Sequence, residues 1–178
     1  MIVKLISITP NAEKLIEYAA RICYNSQAKI TDNSYKTFIP KILEKHHEDV
    51  IEHAMATFEI LGISRSCSHE LVRHRLASIS QQSQRYINAS EFNFVTPDAI
   101  LADSNLNWKY ENIIADAKDL YSYLIQAGIK KEDARFILPN ATTTNLIFSA
   151  NFRELRHIFK LRCHKSSQWE FQILAKKM

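Results

Sequence analysis

The chain has 178 residues, 46% of them hydrophobic, 24% charged and 10% aromatic, with a formal net charge of +4. That length fits one domain with a single core, and a mean hydropathy of -0.23 with no apolar run near the roughly 18–20 residues of a bilayer span excludes a membrane helix. The excess of positive charge is too small to imply nucleic acid unless it is concentrated, and the N-terminal residues lack a signal-peptide layout, so the expectation is a cytoplasmic protein.

In chain order, residues 3–8 alternate as a first strand. Asn11 is placed to cap a helix carrying Leu15, Ile16, Ala19, Ala20, Ile22 and Cys23. Residues 37–45 read as a short helix entered through Pro40. Residues 54–63 read as a strand, with Ala56, Phe58 and Ile60 on one side and Met55, Thr57 and Glu59 on the other. Residues 64–75 read as helix and 84–87 as a strand. The segment 97–107 reads as a loop. A long helix over 108–126 carries Ile113, Ala117, Leu120 and Leu124 and stops near Gly128. Residues 132–138 form a short helix ended by Pro139, residues 143–150 a strand, and 152–162 and 167–176 two closing helices. Helices mixed with few strands predict an α/β or α+β single domain.

Two glycines, Gly62 and Gly128, cannot build a G-x-G-x-x-G turn or a P-loop. A bound nucleotide must therefore be held by side chains and helix ends. Three cysteines without a C-x-x-C pair exclude a disulfide framework and a zinc ribbon. In HHEDVIEH (46–53), no histidine follows His47-Glu48 at the spacing of a zinc helix, so no metal is expected.

Residues 71–90, LVRHRLASISQQSQRYINAS, hold Arg73, His74, Arg75 and Arg85, no acidic residue, and many amides and hydroxyls. Arginine forks with neutral hydrogen-bonding groups suit a phosphate and a polar heterocycle better than they suit a solvated basic face. On the helix over 152–162, Phe152, Leu155, Ile158 and Phe159 form an apolar stripe, opposite Arg153, His157 and Lys160. Arg162 falls inside that stripe. It is either a structural partner of Glu52 or Glu170, or an arginine held in a dry pocket for an anionic ligand. Ser83 lies in Gln-Ser-Gln, without the nucleophile elbow of a hydrolase.

These residues together resemble the flavin-dependent thymidylate synthases. Arg73-His74-Arg75, seven residues, then Ser83 matches that family's signature. His47, Glu52-His53, Ser64-Arg65, Arg85-Tyr86, Ala134-Arg135, Leu138-Pro139, Asn151-x-Arg153, Leu161-Arg162 and Gln168-Trp169-Glu170 follow its order along residues 1–178. The resemblance implies a mixed sheet flanked by helices in a homotetramer with active sites between subunits. It implies conversion of dUMP to dTMP with methylenetetrahydrofolate, NADPH and FAD, and neither a nucleic-acid nor a membrane partner. His47, Glu52, Arg73, His74, Arg75, Gln81, Asn151, Arg153 and His157 would contact FAD. Glu70, Arg73, Gln82, Ser83, Gln84, Arg85, Arg135 and Arg162 would contact dUMP, the segment at Ser83 coming from a neighbouring subunit. Arg162 would be catalytic, stabilising charge on the uracil carbonyls.

Three positions depart from the pattern: Glu70 stands for Gln, Asp49 for Ser or Thr, and Ser167 for Ala, and the chain ends soon after Glu170. A member that binds its ligands but turns over differently is the first alternative. A basic nucleic-acid module is the second, opposed by Tyr86 being the one aromatic residue beside the bases.

Overall fold

The computed structural model describes residues 1–178. Its elements run β1 (Ile2–Ile8), α1 (Ala12–Ile22), α2 (Tyr35–Glu44), β2 (Met55–Ser64), α3 (Arg65–Leu71), β3 (Ala77–Gln81), α4 (Asp98–Leu101), α5 (Ser104–Gln126), α6 (Lys131–Ala134), β4 (Thr143–Asn151), α7 (Phe152–Arg162) and α8 (Trp169–Lys177). Period-two patterning makes the central strands. On β2, Ala56, Phe58 and Ile60 are buried while Met55 is exposed; on β4, Leu146, Phe148 and Ala150 are buried. The strand order is β1-β2-β4-β3. All three pairings are antiparallel, with Phe58 opposite Phe148 and Ile79 also opposite Phe148. The α+β class expected from sequence holds, but the sheet is antiparallel throughout rather than mixed.

The inward side chains of β2 and β4 pack against Cys67 and Leu71 of α3, Leu155 and Ile158 of α7, and Phe171 and Leu174 of α8. Truncating a fully buried aromatic such as Phe148 to Ala would cost about 3–5 kcal/mol. Helices thus cover one face of the sheet. On the other face Thr57 and Ser149 bond through their hydroxyls at 2.9 Å. Two smaller clusters stand beside this core. One joins Ile16, Ala20, Val50, Ile51 and Ala54, and the other joins Ala89, Tyr121 and Ala134. No helix is long and apolar enough to cross a membrane.

Several elements differ from the sequence reading. Asn11 precedes α1 but sits at φ 50 with no side-chain cap bond. Pro40 lies inside α2 rather than at its entrance; lacking an N–H, it leaves the Lys36 carbonyl without its helical partner. The helix expected over 64–75 ends at Leu71. Residues 84–87 are a turn, because the Ser83 carbonyl accepts the N–H groups of Tyr86 (3.3 Å) and Ile87 (3.1 Å). The strand lies earlier, at β3. The segment 97–107 is not a loop: α4 occupies part of it, and the Asp103 carboxylate caps α5 by accepting the N–H groups of Asn105 (2.9 Å) and Leu106 (3.0 Å). On α5 the buried residues are Ala117 and Tyr121, while Ile113 and Leu120 face solvent. The helix expected over 132–138 divides into α6 and a 3-10 turn, Arg135–Ile137.

Candidate active site

The signature is built by the end of α3. Ser64 caps that helix by accepting the Cys67 N–H at 3.0 Å, and Ser64 donates its own N–H (2.7 Å) and hydroxyl to the buried Glu170 of α8. The helix then stops and its Leu71 carbonyl accepts the His74 N–H at 3.1 Å. A turn and then irregular chain lead from there into β3. His74 goes inward and is 6% exposed, while Arg73 and Arg75 go outward.

Inside, His74 meets the edge of Phe171 with ring centroids 5.8 Å apart, and His157 at 6.1 Å. Arg162, half-buried at the end of α7, donates from Nη1 to Glu70 (2.7 Å) and from Nε to His74 Nε2 (3.1 Å). Its guanidinium lies 4.7 Å from the centre of the Phe171 ring. The buried carboxylate of Glu154 lies 3.3 Å from His74 Nδ1. Burial chiefly, then the nearby Arg162 charge, holds the His74 imidazole below its ordinary value, against the opposing pull of Glu154. The structural alternative in the sequence reading paired Arg162 with Glu52 or Glu170. Its partner is Glu70, because Glu52 is engaged by Arg153 and Glu170 by Ser64.

Beside this cluster opens a polar cleft of about 470 Å³ lined by Glu48, Glu52, Leu76, Asn151, Arg153, Glu154 and His157. Four residues expected at the flavin thus share one cleft, next to the signature turn. Asn151 uses its side-chain oxygen to cap α7, accepting the Glu154 N–H at 2.9 Å, which leaves its amide nitrogen free. His47 lies outside this cleft, in a small cavity with Cys23, Tyr24 and Asp49. Gln81 also points elsewhere, its amide donating to Ser68 (3.0 Å) and Thr144 (3.1 Å).

A second cluster lies at the other end of β3. The Ser83 hydroxyl accepts the Arg85 N–H at 3.2 Å. Arg85 pairs with Glu132 at 2.8 Å, which raises its guanidinium's pKa, and it lies over Tyr86. Arg135 donates from Nε to the Glu132 carbonyl at 3.0 Å. Gln82 donates its N–H to the Asn145 carbonyl at 2.9 Å. Arg65 reaches the same place from the start of α3, with Nη1 3.4 Å from Thr144 Oγ1. Burial first, then the charge of Arg135, lowers the pKa of Arg65.

Of nine arginines in the chain, five are in salt bridges: Arg21, Arg85, Arg153, Arg156 and Arg162. Arg65, Arg73, Arg75 and Arg135 face no carboxylate, and all four belong to these two clusters. Unpaired cations gathered in this way make anion sites. The clusters stand roughly 20 Å apart, since β3 and its flanks advance about 3.3 Å per residue. Glu70, Arg73 and Arg162 are therefore at one end, and Gln82, Ser83, Gln84, Arg85 and Arg135 at the other.

Two residues of these clusters escape the sequence reading. Arg65 is matched there to the family pattern, as part of Ser64-Arg65, but is given no ligand, although its place next to a predicted strand end was a usable signal. Glu154 is not singled out there; an acid in the first turn of a helix is an ordinary sequence feature.

The profile of the family described as thymidylate synthase complementing protein matches residues 4–178. A flavin-dependent thymidylate synthase of Geobacter sulfurreducens is 42% identical, over 100% of this chain and 80% of that protein. One of Pyrococcus furiosus is 43% identical, over 99% of this chain and 76% of that protein. The fold superposes on the crystal structure of Thymidylate Synthase X of Helicobacter pylori with FAD and dUMP, at a TM-score of 0.84 and 28% identity. That match covers 99% of this chain and 91% of the other. With the Arg73-His74-Arg75 turn, the capped α3 and the strand to Ser83 arranged as described, the chain belongs to the flavin-dependent thymidylate synthase family.

Proposed function

We propose that this chain is a methyltransferase that converts dUMP to dTMP, taking the methylene group from methylenetetrahydrofolate and reducing equivalents from NADPH, with FAD as its cofactor. The observation that carries this reading is the set of four arginines without carboxylate partners, split between the two ends of β3. The residues fit a flavin. Arg73 and Arg75 offer unpaired forks to its phosphates, and the cleft of Glu52, Asn151, Arg153 and His157 offers polar partners to the rest. Bound there and reduced, FAD supplies the hydride.

The protein's own part is positioning and electrostatics. Ser83, Gln84 and Arg85 of one chain hold the dUMP phosphate, while Arg73 and Arg162 of another meet the nucleotide from the opposite side. The separation of the two sets along β3 supports that division, and the active unit in this reading is a homotetramer. Arg162, fixed by Glu70 and His74, stabilises negative charge on the uracil oxygens as C5 becomes nucleophilic. No side-chain nucleophile is required. In this reading the reaction runs in the cytoplasm.

The ion pair between Glu70 and Arg162 favours a second reading, in which the ligands bind but turnover is reduced because the carboxylate offsets the guanidinium charge. Purified protein separates the two. Flavin absorbance together with NADPH-dependent dTMP formation, and growth of a thymidine-requiring strain, support the first; flavin and dUMP binding without dTMP support the second. A monomer that holds FAD and forms dTMP would refute the shared site.

A further inference from the structure

The contact between Arg162 and His74 fixes a proton. An arginine Nε–H can only donate, and it points at His74 Nε2 from 3.1 Å. Nε2 must therefore present its lone pair, and the single proton of the neutral ring must sit on Nδ1. Nδ1 faces the Glu154 carboxylate at 3.3 Å. Glu154 is 7% exposed and His74 6%, so water does not decide the tautomer. No other salt bridge involves Glu154.

We propose that Glu154 is a positioning residue, which selects the Nδ1–H tautomer of His74 and so makes Nε2 the acceptor that aims Arg162. The three groups form a line from the first turn of α7, through the signature turn, back to the end of α7. With Nε held by His74 and Nη1 by Glu70, the guanidinium loses its rotation and keeps Nη2 for a ligand. The other tautomer would set an N–H against the Arg162 N–H and push the guanidinium away. The charged or titratable groups around the ring are Glu154, His157 and Arg162 of α7, with Glu70 of α3 reached through Arg162; α8 contributes Phe171, which has none. Loss of the carboxylate behind a metal-ligating histidine typically costs about 10–100-fold, and a loss of that order is expected for a histidine that aims a guanidinium.

The assignment to Arg162 chemistry rests on the function proposed above, but the tautomer does not. The first test is the nitrogen chemical shifts of 15N-histidine-labelled full-length protein by magic-angle-spinning NMR, with His74 assigned by the signal lost in His74→Gln. The expected result is an Nδ1–H, unprotonated-Nε2 ring in the native protein, and a mixed or reversed tautomer in Glu154→Ala. Glu154→Gln can still accept the Nδ1 proton through its carbonyl oxygen, so it should keep the native tautomer. It also keeps the test open if the Ala variant does not fold.

In the assay, run at saturating FAD, kcat for dTMP formation should fall about 10–100-fold in Glu154→Ala, with partial recovery in Glu154→Gln. An Nε2–H ring in the native protein, or an unchanged tautomer in Glu154→Ala, overturns the proposal. Native protein with the expected tautomer but no dTMP formation overturns the function reading and leaves the tautomer assignment standing.

Discussion

Replacing Arg162 with Ala separates a catalytic guanidinium from a structural one, because the two roles differ in size. Structurally, Arg162 pairs with Glu70 at 2.7 Å, bonds to His74 at 3.1 Å and lies over Phe171 at 4.7 Å. The Arg162 and Glu70 side chains are 22% and 35% exposed, so solvent screens the pair and it is worth at most about 1 kcal/mol. The cation–π contact adds about 0.5–1 kcal/mol. A total near 1–2 kcal/mol lowers Tm by only about 2–8 °C in a domain of this size. Removing a preorganised donor from developing negative charge instead raises the barrier by about 2.7–4 kcal/mol, or roughly 100- to 1000-fold in rate. The assay is dTMP formation set against NADPH oxidation, flavin content and Tm. Product formation should collapse while flavin stays bound and reducible and Tm falls by a few degrees. Arg162→Lys should also be impaired, because a single ammonium cannot reach Glu70 and His74 with the geometry of the fork. Near-normal dTMP formation in Arg162→Ala would refute the reasoning and leave Arg162 as a structural partner of Glu70.

Arg75→Ala should weaken flavin retention by about 10- to 150-fold, the loss of one charge-assisted contact of roughly 1.5–3 kcal/mol, read from flavin absorbance after gel filtration; full occupancy would show that Arg75 does not touch the cofactor. Ser83→Ala should raise the KM for dUMP and retain turnover at saturation, and a covalent Ser83–nucleotide adduct in a mass spectrum would refute its role as a phosphate ligand. His74 is held below the ordinary value near 6.5 by burial first and by Arg162, so the unfolded chain takes up this proton before the folded one does. Stability from His74 is therefore full above about pH 6.5 and lost as pH falls toward the lower folded value. The drop in Tm between about pH 7.5 and pH 5 should be smaller in His74→Gln than in the native protein, and an equal drop would refute the assignment.

What was legible in the sequence was whatever a one-dimensional period encodes. The alternation of Ala56, Phe58 and Ile60 set the inner face of β2, and the stripe of Leu155 and Ile158 set the inner face of α7. Local chemistry that competes with period was missed. The Ser83 turn looked like a strand, and the Asp103 cap started α5 before its apolar spacing began. On α5 the apolar set pointed to Ile113 and Leu120, but the residues it packs against, Ala89 and Ala134, accommodate Tyr121 instead. Pairings between distant segments carry no period at all. Nothing near Arg162 in sequence names Glu70 as its partner, and nothing near Glu154 names His74.

The seven residues between Arg75 and Ser83 acquire a meaning from β3. The strand puts Ala77, Ile79 and Gln81 toward β4's inner side chains, opposite Ala150, Phe148 and Leu146, and leaves Ser78 and Ser80 exposed. A strand this short contributes little to the core, yet its register is fixed by those three contacts. It therefore acts as a ruler. One end carries the turn that sends His74 inward and two arginines outward; the other carries the Ser83 turn and its anion-seeking cluster. Changing the count by one would invert the faces of the intervening residues, and changing it by two would keep the faces but move the clusters by about 6.6 Å. In the proposed function, where the two ends of β3 serve different chains, either change would spoil the site, because each end must still meet the other end of its neighbour. On that proposal the seven-residue spacing is a distance requirement of the assembled site, set by the length of β3 rather than by the chemistry of any single residue in it.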